Sequence, residues 1–132
     1  MIHSLYAYNQ KNDLFYFRSY SDKIFDRNEI NNMILNIKNC NFSIQNEFTT
    51  VFKEYNGIYF VIIAENENEM YLLNILNLIL GLFDKFFEQL SETAFVYNFK
   101  KLQVIIDTVI VDGIVIELDE QNILKNKVAV LN

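Results

Sequence analysis

The sequence predicts an α/β (α+β) protein in which helices flank one antiparallel β-sheet. Three observations support this class. Two strand-like runs, Ile2 to Tyr8 and Leu14 to Tyr20, stand at the N-terminus. An Asn56-Gly57 pair, a strong hairpin signal, separates two further strand patterns. Two long apolar stretches at helical spacing follow, from Met70 to Leu90 and from Glu92 to Val111.

The first two strands are predicted to form a hairpin. Between them lies Asn9-Gln10-Lys11-Asn12-Asp13, a segment of residues that favour turns and tolerate left-handed backbone. Ser21 or Asp22 can then cap a helix, because a side-chain oxygen accepts a hydrogen bond from an unpaired N–H of the first turn. The apolar residues that follow at roughly helical spacing are Ile24, Phe25, Ile30, Met33, Ile34 and Ile37.

The middle of the chain is predicted to add strands to the same sheet. After an irregular stretch at 39–41, Ile44 to Glu54 is interpreted as one strand, because β-branched and aromatic residues dominate its centre. Asn56-Gly57 favours a type I′ turn, which needs two positive φ angles. The next strand, Ile58 to Ala64, is too apolar for an exposed position, so we expect it at the centre of the sheet.

Two helices are predicted in the second half of the chain. The first, from about Met70 to Leu90, follows an acidic loop. The second, from about Glu92 to Val111, is expected to end at Gly113, since glycine commonly caps helix C-termini. Its apolar face consists of Phe95, Phe99, Leu102, Ile106 and Val109.

Composition favours one domain over residues 1–132 that binds a protein partner. A chain of this length suits one core. It is 52% hydrophobic and 15% aromatic, more apolar than a free-standing domain of this size requires, so part of the apolar surface is expected to face a partner. The net charge of −6 disfavours nucleic acid and direct adsorption to anionic lipid.

The sequence is typical of a chain from a reducing compartment. Cys40 is the single cysteine, so no internal disulfide is expected. The N-terminus lacks the basic region of a signal peptide. The apolar run from Met70 to Phe83 is broken by Asn74 and Asn77 and is shorter than the roughly 20 apolar residues of a bilayer span.

No arrangement of residues predicts an active site, a metal site or a cofactor site. His3 and Cys40 are too few for a zinc site, and no motif supports them as a nucleophile pair. Glu65, Glu67 and Glu69 alternate but lack the glycine and the spacing of a calcium loop, so we interpret them as a solvated connection that complements the next helix N-terminus. Lys100-Lys101 is too small a basic patch for nucleic acid.

Several short segments, taken in order, resemble longin-type subunits of vesicle coats. The start Met1–Asn9 with Phe17-Arg18-Ser19-Tyr20 is similar to the adaptor mu chain. Tyr55–Phe60, Asn66–Met70 and Phe95–Phe99 are similar to the adaptor sigma chain. Ile106-Asp107, Gly113–Glu117 and Asp119 are similar to the end of the coatomer zeta chain, and the mixture also fits the small chain of the TSET complex.

The resemblance implies a longin fold, with a five-stranded antiparallel sheet sandwiched by helices, and a non-catalytic role. The chain would be the small subunit of a heterotetrameric adaptor or coat complex, where it binds a large subunit beside a medium one. It would be cytoplasmic and peripheral on vesicle, Golgi or plasma membranes, held there through the complex. The resemblance implies no cofactor, nucleic acid or small-molecule substrate.

Five aromatic residues are candidates for the contact with the large subunit, because a two-layer domain does not hide every aromatic side chain. They are Phe15, Phe17, Tyr59, Phe86 and Phe87. The alternative at each position is an ordinary core residue.

Sigma chains also receive a dileucine cargo signal in an apolar pocket. The positions that match this pocket are Asn56, Leu80, Leu90 and Phe95. Phe15 stands where a basic residue would attract the acidic part of the signal, so electrostatic pairing with the signal is lost. The favoured interpretation is therefore that the three apolar residues seal the two helices together.

Two other function classes remain as alternatives. In the first alternative, the chain is a longin module of another trafficking complex. In the second, it is a small-ligand sensor on a similar α/β sandwich. A SNARE-type longin protein would add a heptad helix and a membrane tail, and a sensor would need a polar cluster inside the predicted core.

Overall fold

The computed structural model describes residues 1–9, 11, 14–21, 28, 42–45, 48–55, 57–86, 97–119 and 121–123. Its strands and helices follow one another along the chain in this order: β1 (Ile2–Asn9), β2 (Leu14–Ser19), β3 (Phe42–Gln45), β4 (Phe48–Tyr55), β5 (Ile58–Glu65), α1 (Glu69–Phe86), α2 (Phe99–Val109), β6 (Ile110–Val111) and β7 (Ile114–Val115). Within these ranges, no helix combines the length and the apolarity needed to cross a bilayer.

The main sheet has five antiparallel strands in the order β2-β1-β5-β4-β3, which confirms the predicted sheet. The predicted central position of β5 is confirmed as well. Strands β4 and β5 are joined by two residues, since Tyr55 pairs with Ile58. Gly57 has a φ of +82°, the positive angle that the hairpin prediction requires at this position.

Alternation along the strands gives the sheet two apolar faces, because successive side chains point to opposite sides. On β5, Phe60 and Ile62 face the helices, whereas Val61 and Ile63 belong to a second cluster on the other side. All eight residues of β1 are buried, so this strand is covered on both faces. The second cluster, which we call the tyrosine face, comprises Tyr6, Tyr8, Val61 and Ile63, with Phe48, Phe52 and Tyr59 packed against it.

The two helices build the other layer of the core. Helix α1 begins where Asn68 caps it: the Asn68 side-chain oxygen accepts hydrogen bonds from the backbone N–H groups of Met70 (2.8 Å) and Tyr71 (3.4 Å). Its apolar stripe lies against the sheet, with Leu72, Ile75, Leu76, Ile79, Leu80, Leu82 and Phe83 buried. The residues that α2 adds to the same core are Leu102, Ile105, Ile106 and Val109.

The prediction of one strand from Ile44 to Glu54 is wrong. The segment contains two antiparallel strands, β3 and β4, in which Gln45 pairs with Phe48. No glycine or proline marks the reversal between Gln45 and Phe48, and the β-favouring residues from Phe48 onward dominated the interpretation of the segment.

The predicted end of the second helix is also wrong. Helix α2 ends at Val109, and Ile110–Val111 pairs with Ile114–Val115 as a small hairpin. Gly113 is therefore not a helix cap. Asp112 and Gly113 have φ angles of +51° and +81°, as a two-residue primed turn requires. The β-branched run before Asp112 fits the helical period and the strand equally well.

Four predicted features lie wholly or mostly outside the described residues. The helix expected from Ser21 or Asp22 onward falls almost wholly on 22–41, and so does the irregular stretch at 39–41. The last part of the first predicted long helix, 87–90, and the start of the second, 92–96, are also outside. These predictions stay predictions.

Candidate functional site

The four described interface candidates do not form one surface. Phe15 and Phe86 are half-buried and pack against the helix-side core. Phe17 and Tyr59 lie on the tyrosine face: the Phe17 ring centroid is 5.1 Å from that of Tyr6, and Tyr59 stacks on Tyr8 at 5.6 Å. The fifth candidate, Phe87, lies outside the described residues.

Phe17 is the most accessible of the four candidates. It is 39% exposed on β2, an edge strand of the sheet, and Leu14 on the same strand is 44% exposed. A strand edge presents backbone groups as well as side chains to a partner. The interface set stays a prediction, with Phe17 as its member most open to contact.

Of the four pocket positions, the structure describes Leu80 alone. Leu80 is 4% exposed and belongs to the core beneath α1. Asn56, Leu90 and Phe95 are outside the described residues, so the assembly of a pocket remains a prediction. The interpretation that Leu80, Leu90 and Phe95 seal the two helices together also stays a prediction.

An ion pair joins the edge strand to α2. The Arg18 guanidinium lies 3.3 Å from a carboxylate oxygen of Asp107 and also stands over the Tyr20 ring, 5.5 Å from its centroid. Burial raises the pKa of the nearby Tyr16 hydroxyl to about 12 and raises the pKa of Tyr20 still further. Arg18 and Asp107 both lie in segments that resemble coat subunits, but a separation of 89 positions gives no sequence signal for their contact.

The single histidine has a packing role. His3 is 5% exposed, its Nδ1 is 3.1 Å from the Ser4 hydroxyl, and its ring meets Phe48 edge-on at 5.5 Å. Among the described residues, no group of three or more His, Cys, Asp or Glu side chains is placed to hold a metal ion. Cys40 lies outside them.

The acidic loop at 65–69 links β5 to α1 and also contacts the N-terminus of the chain. Glu69 lies in the first turn of α1, which confirms the predicted charge complement at the helix N-terminus. The Glu67 carboxylate accepts a hydrogen bond from the Met1 ammonium group at 2.6 Å, and the Glu65 carbonyl oxygen accepts another at 2.9 Å. Sequence reasoning identified the acidic residues but not this contact with the N-terminus.

A row of exposed aliphatic side chains follows α2, and we call it the apolar strip. Its members are Ile114, Ile116 and Leu118, which are 60%, 56% and 51% exposed. Val115, between the first two, is half-buried against the core. This strip is not among the interface residues predicted from the sequence, which were all aromatic. The signal for it is the alternation of apolar and acidic residues that ends at Asp119.

Comparison with known proteins gives one family. Residues 4–132 match the family model described as clathrin adaptor complex small chain. The chain is 34% identical over 100 residues to AP-1 complex subunit sigma-2 of Dictyostelium discoideum, a match that covers 74% of this chain and 65% of that protein. It is 24% identical over 86 residues to human AP-4 complex subunit sigma-1, covering 64% and 60% of the two chains.

Two further comparisons extend this result. AP-3 complex subunit sigma of Arabidopsis thaliana is 29% identical over 76 residues, which is 57% of this chain and 46% of that protein. The matches thus span less than two thirds of each of these three relatives. A chain in a homology model of the full-length AP-3 complex in a stretched open conformation has the same fold, with a TM-score of 0.69, 18% identity, and coverage of 98% and 93%.

Proposed function

The chain belongs to the clathrin adaptor complex small-chain family, and from this premise we propose that it is the non-catalytic small subunit of a heterotetrameric vesicle-coat adaptor complex. The observation that carries the proposal is the family match, which runs from residue 4 to residue 132 of a 132-residue chain. The named relatives are sigma subunits of AP-1, AP-3 and AP-4 complexes, so the chain is of the sigma type.

In this role the chain binds one large subunit and thereby holds the complex together. Permanent interfaces between subunits bury large and relatively apolar areas. The excess of apolar residues in the composition and the exposed aliphatic and aromatic side chains, such as Ile114 and Phe17, support such a contact. The medium subunit belongs to the same complex as a further partner.

The proposal extends to the organisation and location of the chain. Residues 1–132 form one longin-like domain, an organisation that the likeness to a chain of the AP-3 complex over 98% of this chain supports. The chain is cytoplasmic and reaches vesicle, Golgi or plasma membranes through its complex. It catalyses no reaction and needs no cofactor.

Affinity purification tests this function. A tag is placed after Asn132, because the ammonium group of Met1 is hydrogen-bonded in the fold and an N-terminal tag would remove it. The tagged chain is expressed in its native cells, purified gently and identified with its partners by mass spectrometry. The control is the same tag on an unrelated small protein at matched expression.

We expect two large chains and one medium chain in amounts equal to that of the tagged chain. Their identity then assigns the complex to the AP-1, AP-3 or AP-4 type. Recovery of a stable monomer without these chains contradicts the proposal and favours the ligand-sensor alternative.

A further inference from the structure

We propose that the apolar strip of Ile114, Ile116 and Leu118 is the docking site for an amphipathic helix of the large subunit, one whose apolar ridge is bordered by Lys or Arg. The inference rests on the proposed function. It goes beyond that function because it names the surface that this chain uses and the chemistry of the partner segment.

The apolar strip differs from ordinary surface residues in its regular arrangement. Isolated exposed aliphatic side chains are normal, but contiguous apolar patches mark contacts. Ile114, Ile116 and Leu118 occupy alternate positions and are all more than half exposed. Val111 and Met1, 44% and 54% exposed, extend the patch, since Val111 pairs with Ile114 and the Met1 side chain lies beside Gly113.

The apolar strip is held in place by the fold rather than carried on a free loop. Backbone hydrogen bonds fix it on two sides: the N–H of Ile2 donates to the Gly113 carbonyl, and the N–H of Ile116 donates to the Val109 carbonyl, both at 2.8 Å. Val115 anchors the same segment in the core. A preorganised surface loses little conformational entropy when it binds.

The hydrogen bonding of the segment favours a helix over an added strand as the partner. Strand addition needs backbone N–H and C=O groups that are open for pairing. The N–H of Ile116 is already bonded to Val109, and the N–H groups of Leu118 and Asp119 both donate to the Glu117 carboxylate, at 3.1 Å and 2.9 Å. The partner therefore meets side chains. A helix can meet these side chains with a ridge of apolar residues at i, i+4 and i+8, which repeat about every 6 Å.

The carboxylates beside the apolar strip indicate which charges should border the apolar ridge of the partner helix. Asp112 and Asp119 are exposed at its two ends, and Glu117 lies between Ile116 and Leu118. The whole chain carries a net charge of −6. A partner helix with Lys or Arg on each side of its apolar ridge complements these carboxylates, and such complementarity also suppresses wrong partners. A stable interface buries about 800 Å² on each partner, so the strip is the apolar centre of a larger contact.

The test introduces charge into the strip and measures recovery of the large chain from native cells. The variant Ile116→Glu/Leu118→Glu is compared with the milder Ile116→Ser/Leu118→Ser in the full-length tagged chain. The matched control is Tyr97→Glu: Tyr97 is 84% exposed and lies before the start of α2. Helix α2 is about 16 Å long, and Ile116 of the strip is bonded to Val109 at its other end. Far-ultraviolet circular dichroism and the melting temperature of each purified variant report whether it is folded.

A second measurement places a photo-cross-linking amino acid at position 116 of the otherwise unchanged chain.

We expect the Glu variant to lower recovery of the large chain at least tenfold, the Ser variant to lower it less, and Tyr97→Glu to leave it unchanged. Position 116 should cross-link to a segment of the large chain that has basic residues beside an apolar ridge. Equal recovery with all variants overturns the inference, as does a cross-link to the medium chain or to a second copy of this chain. Failure of the wild-type chain to recover any large chain overturns the proposed function instead.

Discussion

Ile2 and Gly113 are bonded backbone to backbone, and their contact leaves no space for a side chain at position 113. The Ile2 N–H donates to the Gly113 carbonyl at 2.8 Å, and a Cβ atom on Gly113 would clash with the Ile2 carbonyl oxygen. Gly113 also has a φ of +81°. The small hairpin after α2 is thus tied to the first strand at a position where only glycine fits.

Gly113→Ala is expected to destabilise the chain more than Gly57→Ala. Both glycines have positive φ angles, which cost an L-residue about 1–2 kcal/mol. The space around a Cβ at Gly57 is open, whereas at Gly113 the backbone of Ile2 must move, at a further cost of about 1–3 kcal/mol. Denaturant unfolding of the two variants measures the difference, and equal losses would show that the Ile2–Gly113 contact is absent.

Leu102→Asp or Ile106→Asp is expected to unfold the chain. The two side chains are 0% and 1% exposed, and a buried carboxylate without a partner costs several kcal/mol. A typical domain has only about 5–15 kcal/mol of stability in total. Far-ultraviolet circular dichroism of the purified variants measures the loss. Lys101→Asp, on the exposed side of the same helix, is the control and should change stability by less than about 0.5 kcal/mol. Wild-type stability in either core variant would contradict the helix assignment.

The Arg18–Asp107 ion pair is expected to contribute little to stability. Its side chains are 33% and 42% exposed, so water and salt screen the attraction. A double-mutant cycle with Arg18→Met and Asp107→Asn should give a coupling energy of about 0.2–1 kcal/mol. The coupling should shrink when the unfolding measurements are repeated at high salt. A larger coupling that does not depend on salt would indicate a buried pair instead.

Stability is expected to fall at alkaline pH because of buried tyrosines. Burial raises the pKa of Tyr8 and of Tyr16 from 10 to about 12. Between pH 10 and 12 the unfolded chain loses these protons while the folded chain keeps them, so the free energy of unfolding decreases as pH rises. Below pH 10 this contribution is complete. Unfolding measured at steps of pH should show the decrease, and Tyr16→Phe should make it less steep. An unchanged slope in that variant would contradict the raised pKa of Tyr16.

The strand bounds were predicted best where an apolar strand pattern ended at a recognisable turn sequence. β1, β2 and β5 lie within one residue of their expected bounds at each end, because apolar runs and the Asn56-Gly57 signal mark them from both sides. The division of Ile44 to Glu54 was missed, since no glycine or proline marks the reversal. The end of α2 was missed because Asp112-Gly113, a hairpin signal as clear as Asn56-Gly57, was interpreted as a helix cap.

The candidate surfaces were less predictable than the fold. Phe15 and Phe17, two positions apart, pack against different clusters because the β1–β2 register shifts there: Ala7 pairs with Tyr16 and Tyr8 with Leu14. The sequence carries no signal for this irregularity. The apolar strip depends on the extended backbone after Val109, which the helix prediction did not allow. Contacts such as Arg18 with Asp107 join positions that only the folded sheet brings together.

The pairing of β1 with β5 has a consequence for synthesis of the chain on the ribosome. β1 is complete at Asn9, but its partner ends at Glu65, and 56 further residues must be added before the pair can close. At roughly 5–20 residues per second, this interval is about 3–11 s. The β1–β2 hairpin can form early, yet the other edge of β1, a strand that is buried along its whole length in the finished fold, stays open during that time. An open strand edge is a template for pairing with another chain, so the growing chain is exposed to aggregation at its first strand until β5 is made.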